Sequence, residues 1–358
     1  MKNRIGKVSL MVLFVITIVL LAANLVIQPA RATKIDDAAV LSAVAVTDAI
    51  VDALALTNAD ILASQGAGGN VFYVDSGATG SATGLDWTNA EVTLEAAIAN
   101  CTASAGDIIY AAPRHAESFT SEELDIDKIG IQIIGLGTGS NRPTITYAHA
   151  NGEVAIGAAS VLIKNIRFFS SIPDVLMGIE VESGVDFFTI EDCEFSVETD
   201  GTDEFAEAIN FAGANEDCTV RNCVFNAKAG NSVAAILTDN ATVDLKIIGN
   251  EIRGDYSSAC IFGDAADLDI LIYDNLLING ALIADGGANT EPAIEVANNT
   301  AGFIVDNRIV SDVATGLAMR VADDCTFMNN HLTDDDGDEF SGSVETTSAT
   351  VTGLVDGD

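Results

Sequence analysis

Short apolar runs interrupted by a polar residue recur along the chain from Val161 onward. Each run leads into Asn or Asp and becomes apolar again within three residues, and the phrase returns about every 27 residues. Self-similarity at a fixed period is typical of stacked structural units. The phrases are VLIKNIRFF, FTIEDCEFS, CTVRNCVFN, LKIIGNEIR, LIYDNLLIN, FIVDNRIVS and CTFMNNHLT.

The polar residue within each phrase predicts a corner of the chain. Asn and Asp tolerate left-handed backbone and can bind neighbouring backbone at a sharp turn, and their amides can also form ladders between stacked units. The predicted corners are Asn165, Asp192, Asn222, Asn250, Asn275, Asn307 and Asn330. Side chains two residues earlier are predicted to form one interior stack, which consists of Ile163, Ile190, Val220, Ile248, Tyr273, Val305 and Met328.

A second apolar strand lies between successive phrases, as in EAINFAG and AAILTDN, so each repeat contains at least two strands. A unit of this size cannot enclose a core alone. Coiled turn upon turn, each strand would pair in parallel with its copy about 4.8 Å away along the axis. The pattern therefore predicts an all-β solenoid over residues 67–335.

The opening of this region is FYVDSGATGSATGLDW, EVTLEAAIANC, GDIIYAAPRHAE and IQIIGLGTGSNRPTITY. Together with the repeat, it resembles the right-handed parallel β-helix of the pectin-lyase-like superfamily. GDIIYAAPRHAE with GLGTGSNRPTIT is similar to uncharacterised β-helix proteins of bacteriophage and environmental viruses. The resemblance implies an N-terminal capping helix with Leu94, Ala97, Ile98 and Cys101 over the end of the coil. The superfamily includes lyases, hydrolases, tail spikes, adhesins and inert scaffolds, so the fold does not decide the function.

Residues 1–32 have a basic start, an apolar run and the sequence Ala-Arg-Ala, which predicts a cleaved secretory signal peptide. The apolar run is also long enough to span a bilayer, so an uncleaved membrane anchor is the alternative. Residues 33–66 carry an apolar stripe at helical spacing and predict an amphipathic helix. This helix would cover an end of the solenoid or form a coiled-coil stalk.

Acidic residues dominate the chain, with 53 Asp and Glu against 16 Lys and Arg, for a formal net charge of -37. Such a charge argues against nucleic acid as a partner, because a phosphate-binding surface needs clustered cations. The final residues, 336–358, are predicted to be an acidic C-terminal tail or cap.

Opposite charges occupy one place in three successive phrases. Strand alternation turns Lys164, Glu191 and Arg221 outward together, which favours a solvated cross-rung ladder over a catalytic carboxylate pair. His115 and Glu117 follow a strand and could face a groove, but a turn residue with a hydrogen-bonded ring is the simpler interpretation. No catalytic residue is assigned.

Two cysteines, Cys193 and Cys223, follow the corner residue in successive phrases. Stacked rungs would bring their Cα atoms to about 5 Å, within the range for a disulfide. Side chains stacked in parallel can equally remain thiols, so the sequence leaves both states open.

The segment DDDGDE contains the candidate metal ligands Asp334, Asp336 and Asp338, and Glu345 follows eleven residues after the first of them. Alternating carboxylates of this kind are typical of calcium loops. Glu339 stands where such a loop requires Gly, so a solvated acidic turn is the alternative. Calcium is the only cofactor that the sequence predicts.

These features favour a secreted or surface-exposed structural or adhesive β-helix, virion-type or self-assembling, without catalytic activity. Its expected partners are extracellular polysaccharide or copies of itself, with a membrane involved only if the N-terminal segment is retained. The alternative is a polysaccharide lyase or glycoside hydrolase that acts on acidic glycans.

Overall fold

The structure is a computed structural model. It describes residues 69–120, 124–197, 203–227, 232–280, 291–297, 300–311, 317–321, 324–333 and 343–346. The segments predicted as signal peptide and amphipathic helix, and nearly all of the acidic tail, lie outside these residues.

Short β-strands make up most of the described chain. In the N-terminal half they are β1 (Val71–Val74), β2 (Ile108–Ala111), β3 (Ala116–Phe119), β4 (Leu124–Ile126), β5 (Gln132–Gly135), β6 (Thr144–Tyr147), β7 (Val154–Ile156), β8 (Leu162–Lys164), β9 (Arg167–Ser170), β10 (Val175–Val181), β11 (Thr189–Glu191) and β12 (Glu194–Val197). A helix, α1 (Leu94–Asn100), and a 3₁₀ turn (Gly139–Asn141) lie among them.

The same pattern continues to the C-terminal end of the described region. Its strands are β13 (Phe205–Phe211), β14 (Thr219–Arg221), β15 (Val224–Asn226), β16 (Ala234–Thr238), β17 (Lys246–Ile248), β18 (Glu251–Gly254), β19 (Ala259–Gly263), β20 (Ile270–Tyr273), β21 (Leu276–Asn279), β22 (Ile294–Val296), β23 (Ala301–Val305), β24 (Arg308–Ser311), β25 (Leu317–Val321), β26 (Asp324–Met328), β27 (His331–Thr333) and β28 (Ser343–Thr346).

The strands form three parallel sheets. Sheet A has the order β1-β2-β5-β8-β11-β14-β17-β20-β23-β26. Sheet B takes every third strand from β3 to β27, and sheet C takes every third strand from β4 to β28. From β2 onward the chain visits sheets A, B and C in turn, so each turn of the coil contributes one strand to each sheet. The predicted all-β parallel solenoid is confirmed, with three strands per turn in place of the minimum of two.

The repeated phrase spans two strands rather than one. In VLIKNIRFF, β8 ends at Lys164 and β9 begins at Arg167, with Asn165 in the left-handed region at φ 56° between them. Asp192 and Asn222 occupy the same conformation in the next two turns, with φ of 55° and 53°. This short turn from sheet A to sheet B is the predicted corner at these three positions.

The predicted corner is wrong by one residue in the later turns. There the left-handed residues are Gly249, Asp274, Asp306 and Asn329. The next residues, Asn250, Asn275, Asn307 and Asn330, are buried.

The interior stack shifts by one residue in the same turns. Val220 pairs with Ile247, and the stack continues through Ile272, Ile304 and Phe327. Ile248, Tyr273, Val305 and Met328 instead continue the row of Lys164, Glu191 and Arg221.

The buried asparagines form a continuous ladder inside this turn. Oδ1 of Asn275 accepts hydrogen bonds from the backbone N–H of Asn250, at 2.9 Å, and from its Nδ2, at 3.0 Å. Asn307 and Asn330 repeat the same two bonds one and two turns later. Each Nδ2 also donates to a backbone carbonyl, as from Asn275 to Ile247 at 2.9 Å. The ladder therefore satisfies backbone groups that the sharp turn would otherwise leave unpaired in the core.

Cys193 and Cys223 occupy the ladder position in the two earlier turns and are free thiols. Both are buried, and Oδ1 of Asn250 accepts the backbone N–H of Cys223 at 2.9 Å. Burial raises the pKa of the Cys223 thiol well above its ordinary value of 9.0, and the adjacent Cys193 raises it further. A thiol in this setting holds its proton and is a weak nucleophile.

Helix α1 lies beside the first turns and contacts β1, β2 and β4. The Thr93 hydroxyl accepts the backbone N–H of Ala96 at 3.2 Å, which satisfies an otherwise unpaired group of the first helical turn. Leu94, Ala97 and Ile98 are buried on its inner side, and Cys101 follows them.

No helix in the described part of the chain is long and apolar enough to cross a membrane.

A second polar ladder follows the turn from sheet C to sheet A. Asp267 is fully buried, and its Oδ1 accepts the backbone N–H and the hydroxyl of Thr242, each at 2.8 Å. Its Oδ2 accepts the hydroxyl of Thr238 at 2.8 Å. Burial raises the pKa of Asp267 above its ordinary value of 3.8, although the bonds from both threonines oppose the shift.

We expect Asp267→Asn to gain stability relative to the wild type as the pH rises from about 4 toward neutral. The folded protein binds this proton more tightly than the unfolded chain does. The stabilisation from Asp267 is therefore complete below 3.8 and is lost as pH rises through the raised folded pKa. An asparagine can accept from Thr242 and donate to Thr238, so the network survives.

Urea unfolding of both proteins across this pH range measures the difference. Asp269→Asn is the matched control, because Asp269 is exposed and its left-handed backbone, at φ 56°, suits asparagine. A constant difference between Asp267→Asn and the wild type at every pH would contradict the prediction.

Candidate functional site

Charged side chains concentrate where sheet A turns into sheet B. Register places Lys164, Glu191 and Arg221 side by side on β8, β11 and β14. Glu191 forms ion pairs with both Lys164 and Arg221, and Lys164 Nζ also lies 3.2 Å from Asp192 Oδ2. The predicted cross-rung ladder of alternating charge is therefore present, but Glu191 at its centre is buried rather than solvated.

The same arrangement recurs on the neighbouring strands of sheet B. Oε1 and Oε2 of Glu194 accept two hydrogen bonds from Arg167, at 3.1 and 3.2 Å, and Arg142 Nη1 lies 3.1 Å from Glu194 Oε2. Arg142 Nε also donates to Asn165 Oδ1 at 3.0 Å. We call the residues Arg142, Lys164, Arg167, Glu191, Asp192, Glu194 and Arg221 the charged corner.

The charged corner favours the charged form of Lys164. Burial alone would lower the pKa of Lys164, but the hydrogen bonds and charges of Glu191 and Asp192 outweigh it and raise that pKa above its ordinary value of 10.5. Glu191 is only 4% exposed, so a substrate has little access to its carboxylate. This arrangement pairs the charges of successive turns with one another and so holds the turns together.

His115 is also a structural residue. It is 1% exposed, and its Nδ1 accepts the backbone N–H of Ser76 at 3.0 Å. That bond leaves the proton on Nε2, which faces Glu117 Oε2 at 3.3 Å. Glu117 in turn accepts the backbone N–H of Leu94 at 3.0 Å. The predicted hydrogen-bonded turn histidine is confirmed, and it connects the loop after β1 to the start of α1.

A different group of polar residues lies on sheet C. Asn210 Nδ2 donates to Glu207 Oε2 at 2.8 Å and lies 3.7 Å from Met177 Sδ. Register places Asn210 beside Glu180 and Glu207 beside Met177 on the preceding turn. The buried Oδ1 of Asn210 accepts no hydrogen bond from the described residues. Glu180, Glu207, Asn210 and Asp239 are called the acidic group.

The environment of Glu207 favours its neutral form. Burial raises its pKa above the ordinary value of 4.5, the hydrogen bond from Asn210 opposes this, and the charges of Asp239 and Glu180 raise it further. A carboxyl group with a raised pKa beside other carboxylates is the arrangement that general acid and base chemistry on glycosides uses. The acidic group can thus donate or accept a proton at the surface of sheet C.

Sequence reasoning missed this group because strand alternation fails there. Ala208 and Ile209 are both buried in the core, so Glu207 and Asn210, three residues apart, come to interact. Strict alternation would place them on opposite faces. No Gly or Pro stands between Glu207 and Phe211 to mark the irregularity, so the sequence carries no signal for it.

The predicted calcium ligands Asp334, Asp336 and Asp338 lie outside the described residues. Glu345 belongs to β28, where it pairs in register with Arg320. Within the described parts of the chain, no three His, Cys, Asp or Glu side chains are grouped closely enough to hold a metal ion. Calcium binding at this loop stays a prediction.

We expect calcium to raise the melting temperature more than magnesium does at equal ionic strength. Closely spaced carboxylates, as in DDDGDE, suit the larger ion, and an ion that binds only the folded state stabilises it by mass action. Differential scanning calorimetry measures both shifts, with a variant carrying Asn at 334, 336 and 338 as the control. Equal shifts with sodium, magnesium and calcium would contradict a specific site.

No known protein family and no curated protein matches this sequence. Among solved structures, a rhamnogalacturonan lyase is similar over 73% of this chain and 74% of its own, with 12% identity and a TM-score of 0.45. ORF18 of Geobacillus virus E2 is similar over 67% of this chain, with 13% identity and a TM-score of 0.48, and the match spans 51% of the viral protein. An alginate lyase from Paenibacillus sp. strain FPU-7 covers 72% of this chain and 96% of its own, at 11% identity and a TM-score of 0.40.

Proposed function

We propose that this protein is a surface-exposed structural or adhesive β-helix without catalytic activity. It would act outside the cell, as a virion-type or self-assembling component, and bind extracellular polysaccharide or copies of itself. The predicted signal peptide at residues 1–32 supports export. The solenoid supports a scaffolding role, because parallel strands paired over many turns give a rigid, extended surface.

The ion pairs of the charged corner are the main support for this function. Glu191 lies between Lys164 and Arg221, and Glu194 lies between Arg142 and Arg167. A lyase or hydrolase needs an acid or a base that reaches its substrate at a suitable pKa. Here the carboxylates and the cations bind each other across neighbouring turns, and this is the role of a structural ladder.

Product formation tests the proposal directly. The purified protein is incubated with pectins, alginates and other acidic glycans, with and without calcium, and new reducing ends and unsaturated ends are measured. We expect neither above the level of a heat-unfolded control. New ends that increase with protein concentration would contradict the proposal.

The acidic group favours a second candidate function, a glycan-cleaving enzyme with Glu207 as the proton donor. A carboxyl group with a raised pKa beside Glu180 and Asp239 resembles the paired carboxyls of glycoside hydrolysis. The variant Glu207→Gln keeps a hydrogen-bonding partner for Asn210 but cannot transfer a proton. If the wild type forms new chain ends, loss of this activity in Glu207→Gln supports the enzyme, and full activity in the variant rejects Glu207 as its acid.

A further inference from the structure

An aromatic cluster lies at the N-terminal end of sheet A, whereas the acidic group lies on sheet C. Tyr73 on β1 and Tyr110 on β2 are register partners, and their ring centroids are 6.2 Å apart with an interplanar angle of 35°. Trp87 meets Tyr73 edge to face, with centroids 4.6 Å apart and an angle of 60°. We call these three residues the aromatic platform.

The aromatic platform is partly exposed, because Tyr73 and Tyr110 are half-buried and Trp87 is exposed. Trp87, the only tryptophan of the chain, is 41% exposed, and the nearby Leu85 is 63% exposed. Aromatic clusters that serve packing alone are normally covered, and an exposed group of large apolar side chains marks a binding surface.

The loop that carries Trp87 is held firmly. The backbone N–H of Tyr73 donates to Gly84 O at 2.8 Å, and the carbonyl of Asn89 accepts from both Thr83 and Gly84. The Asp86 carboxylate accepts the backbone N–H of Asn89 at 2.9 Å and bonds to its side-chain amide as well. Trp87 therefore sits at a fixed place, and a ligand would not have to pay the entropy of ordering it.

The open face of an aromatic ring binds ligands with a flat or weakly polar face, and nearby charges select among such ligands. Asp75 and Asp86 lie within two residues of Tyr73 and Trp87. Hydrogen bonds from Asn89 hold the pKa of Asp86 below its ordinary value of 3.8, so that this residue is an anion. These carboxylates and the net charge of -37 oppose nucleobases carried on phosphate and oppose acidic sugars.

Neutral sugars fit both the aromatic rings of the platform and the carboxylates near it. The C–H groups on one face of a hexose pack against aromatic rings, and carboxylate and phenol oxygens accept hydrogen bonds from its hydroxyls. We infer that the aromatic platform is a binding site for neutral hexose residues of a glycan. This inference deepens the proposed adhesive function and rests on it.

Intrinsic fluorescence tests the inference, because Trp87 is the only tryptophan. The full-length protein is titrated with neutral oligosaccharides of glucose, mannose and galactose, and separately with oligogalacturonate. We expect at least one neutral oligosaccharide to shift or quench the emission at saturation. Tyr110→Ala, which keeps the reporter, is expected to weaken that binding at least tenfold. Circular dichroism confirms that the variant is folded.

Phe187→Ala is the matched control, because Phe187 is 45% exposed on the turn before β11, away from the platform, and its loss should leave the affinity unchanged. Unchanged emission with every neutral oligosaccharide would overturn the inference, as would wild-type affinity in Tyr110→Ala or preference for oligogalacturonate. The binding experiment is independent of the assay for new chain ends. Only that assay tests the proposed lack of catalytic activity.

Discussion

Replacing Val220 with aspartate is expected to lower the free energy of unfolding by about 4 kcal/mol. Val220 is fully buried and lies between Ile190 and Ile247 in the interior stack of sheet A. A carboxylate there would lose its hydration without gaining a counter-ion, and its neighbours on both turns are aliphatic. Urea unfolding followed by circular dichroism measures the loss.

Two further variants test the register of the stack. Ile247→Asp should be as damaging as Val220→Asp, because Ile247 is the next interior residue. Ile248→Asp should cost about 1 kcal/mol or less, because Ile248 is half-buried in the outward row beside Arg221, where a carboxylate finds a cation. A larger loss from Ile248→Asp than from Ile247→Asp would contradict the register.

The second large effect is expected from Asn275→Ala, at about 3 kcal/mol. Oδ1 of Asn275 accepts two hydrogen bonds from Asn250, and its Nδ2 donates to Ile247 O and Asn307 Oδ1. Alanine removes all four bonds and leaves buried donors and acceptors without partners. Such orphaned groups cost more than the bonds themselves contribute.

Cys223→Asn is the matched control for the ladder. Cys223 occupies the same place one turn before Asn250, so asparagine there would lengthen the ladder rather than interrupt it. We expect its stability to stay within about 1 kcal/mol of the wild type. Equal losses of stability for Cys223→Asn and Asn275→Ala would contradict the ladder, because a lengthened ladder should not cost as much as an interrupted one.

The fold could be predicted from the sequence because the repeat is long and regular, but the register could not be fixed in every turn. Asparagine serves two purposes in this coil, as the left-handed residue at Asn165 and Asn222 and as the buried ladder residue at Asn250 and Asn275. Aligning the phrases on asparagine merged these two places. Gly249 takes the left-handed place in its turn, because glycine adopts that conformation without strain.

The charged corner and the acidic group also differ in how far the sequence predicts them. Within the charged corner, the row of Lys164, Glu191 and Arg221 could be predicted, since regular alternation turns these side chains to one side. The acidic group could not, because it depends on a local break in alternation between Ala208 and Ile209. Likewise, nothing in the spacing of Tyr73 and Trp87 shows that the loop between them folds back onto β1.

Charged side chains hold the turns of this coil together, and the decisive experiment is the unfolding of Glu191→Gln. Glutamine cannot neutralise Lys164 and Arg221, so we expect a loss of about 2 kcal/mol, less than for a fully buried pair because both cations are partly exposed. Glu295→Gln, which weakens the more exposed pair with Arg320, should cost less than about 1 kcal/mol. Wild-type stability of Glu191→Gln in urea unfolding would contradict the claim.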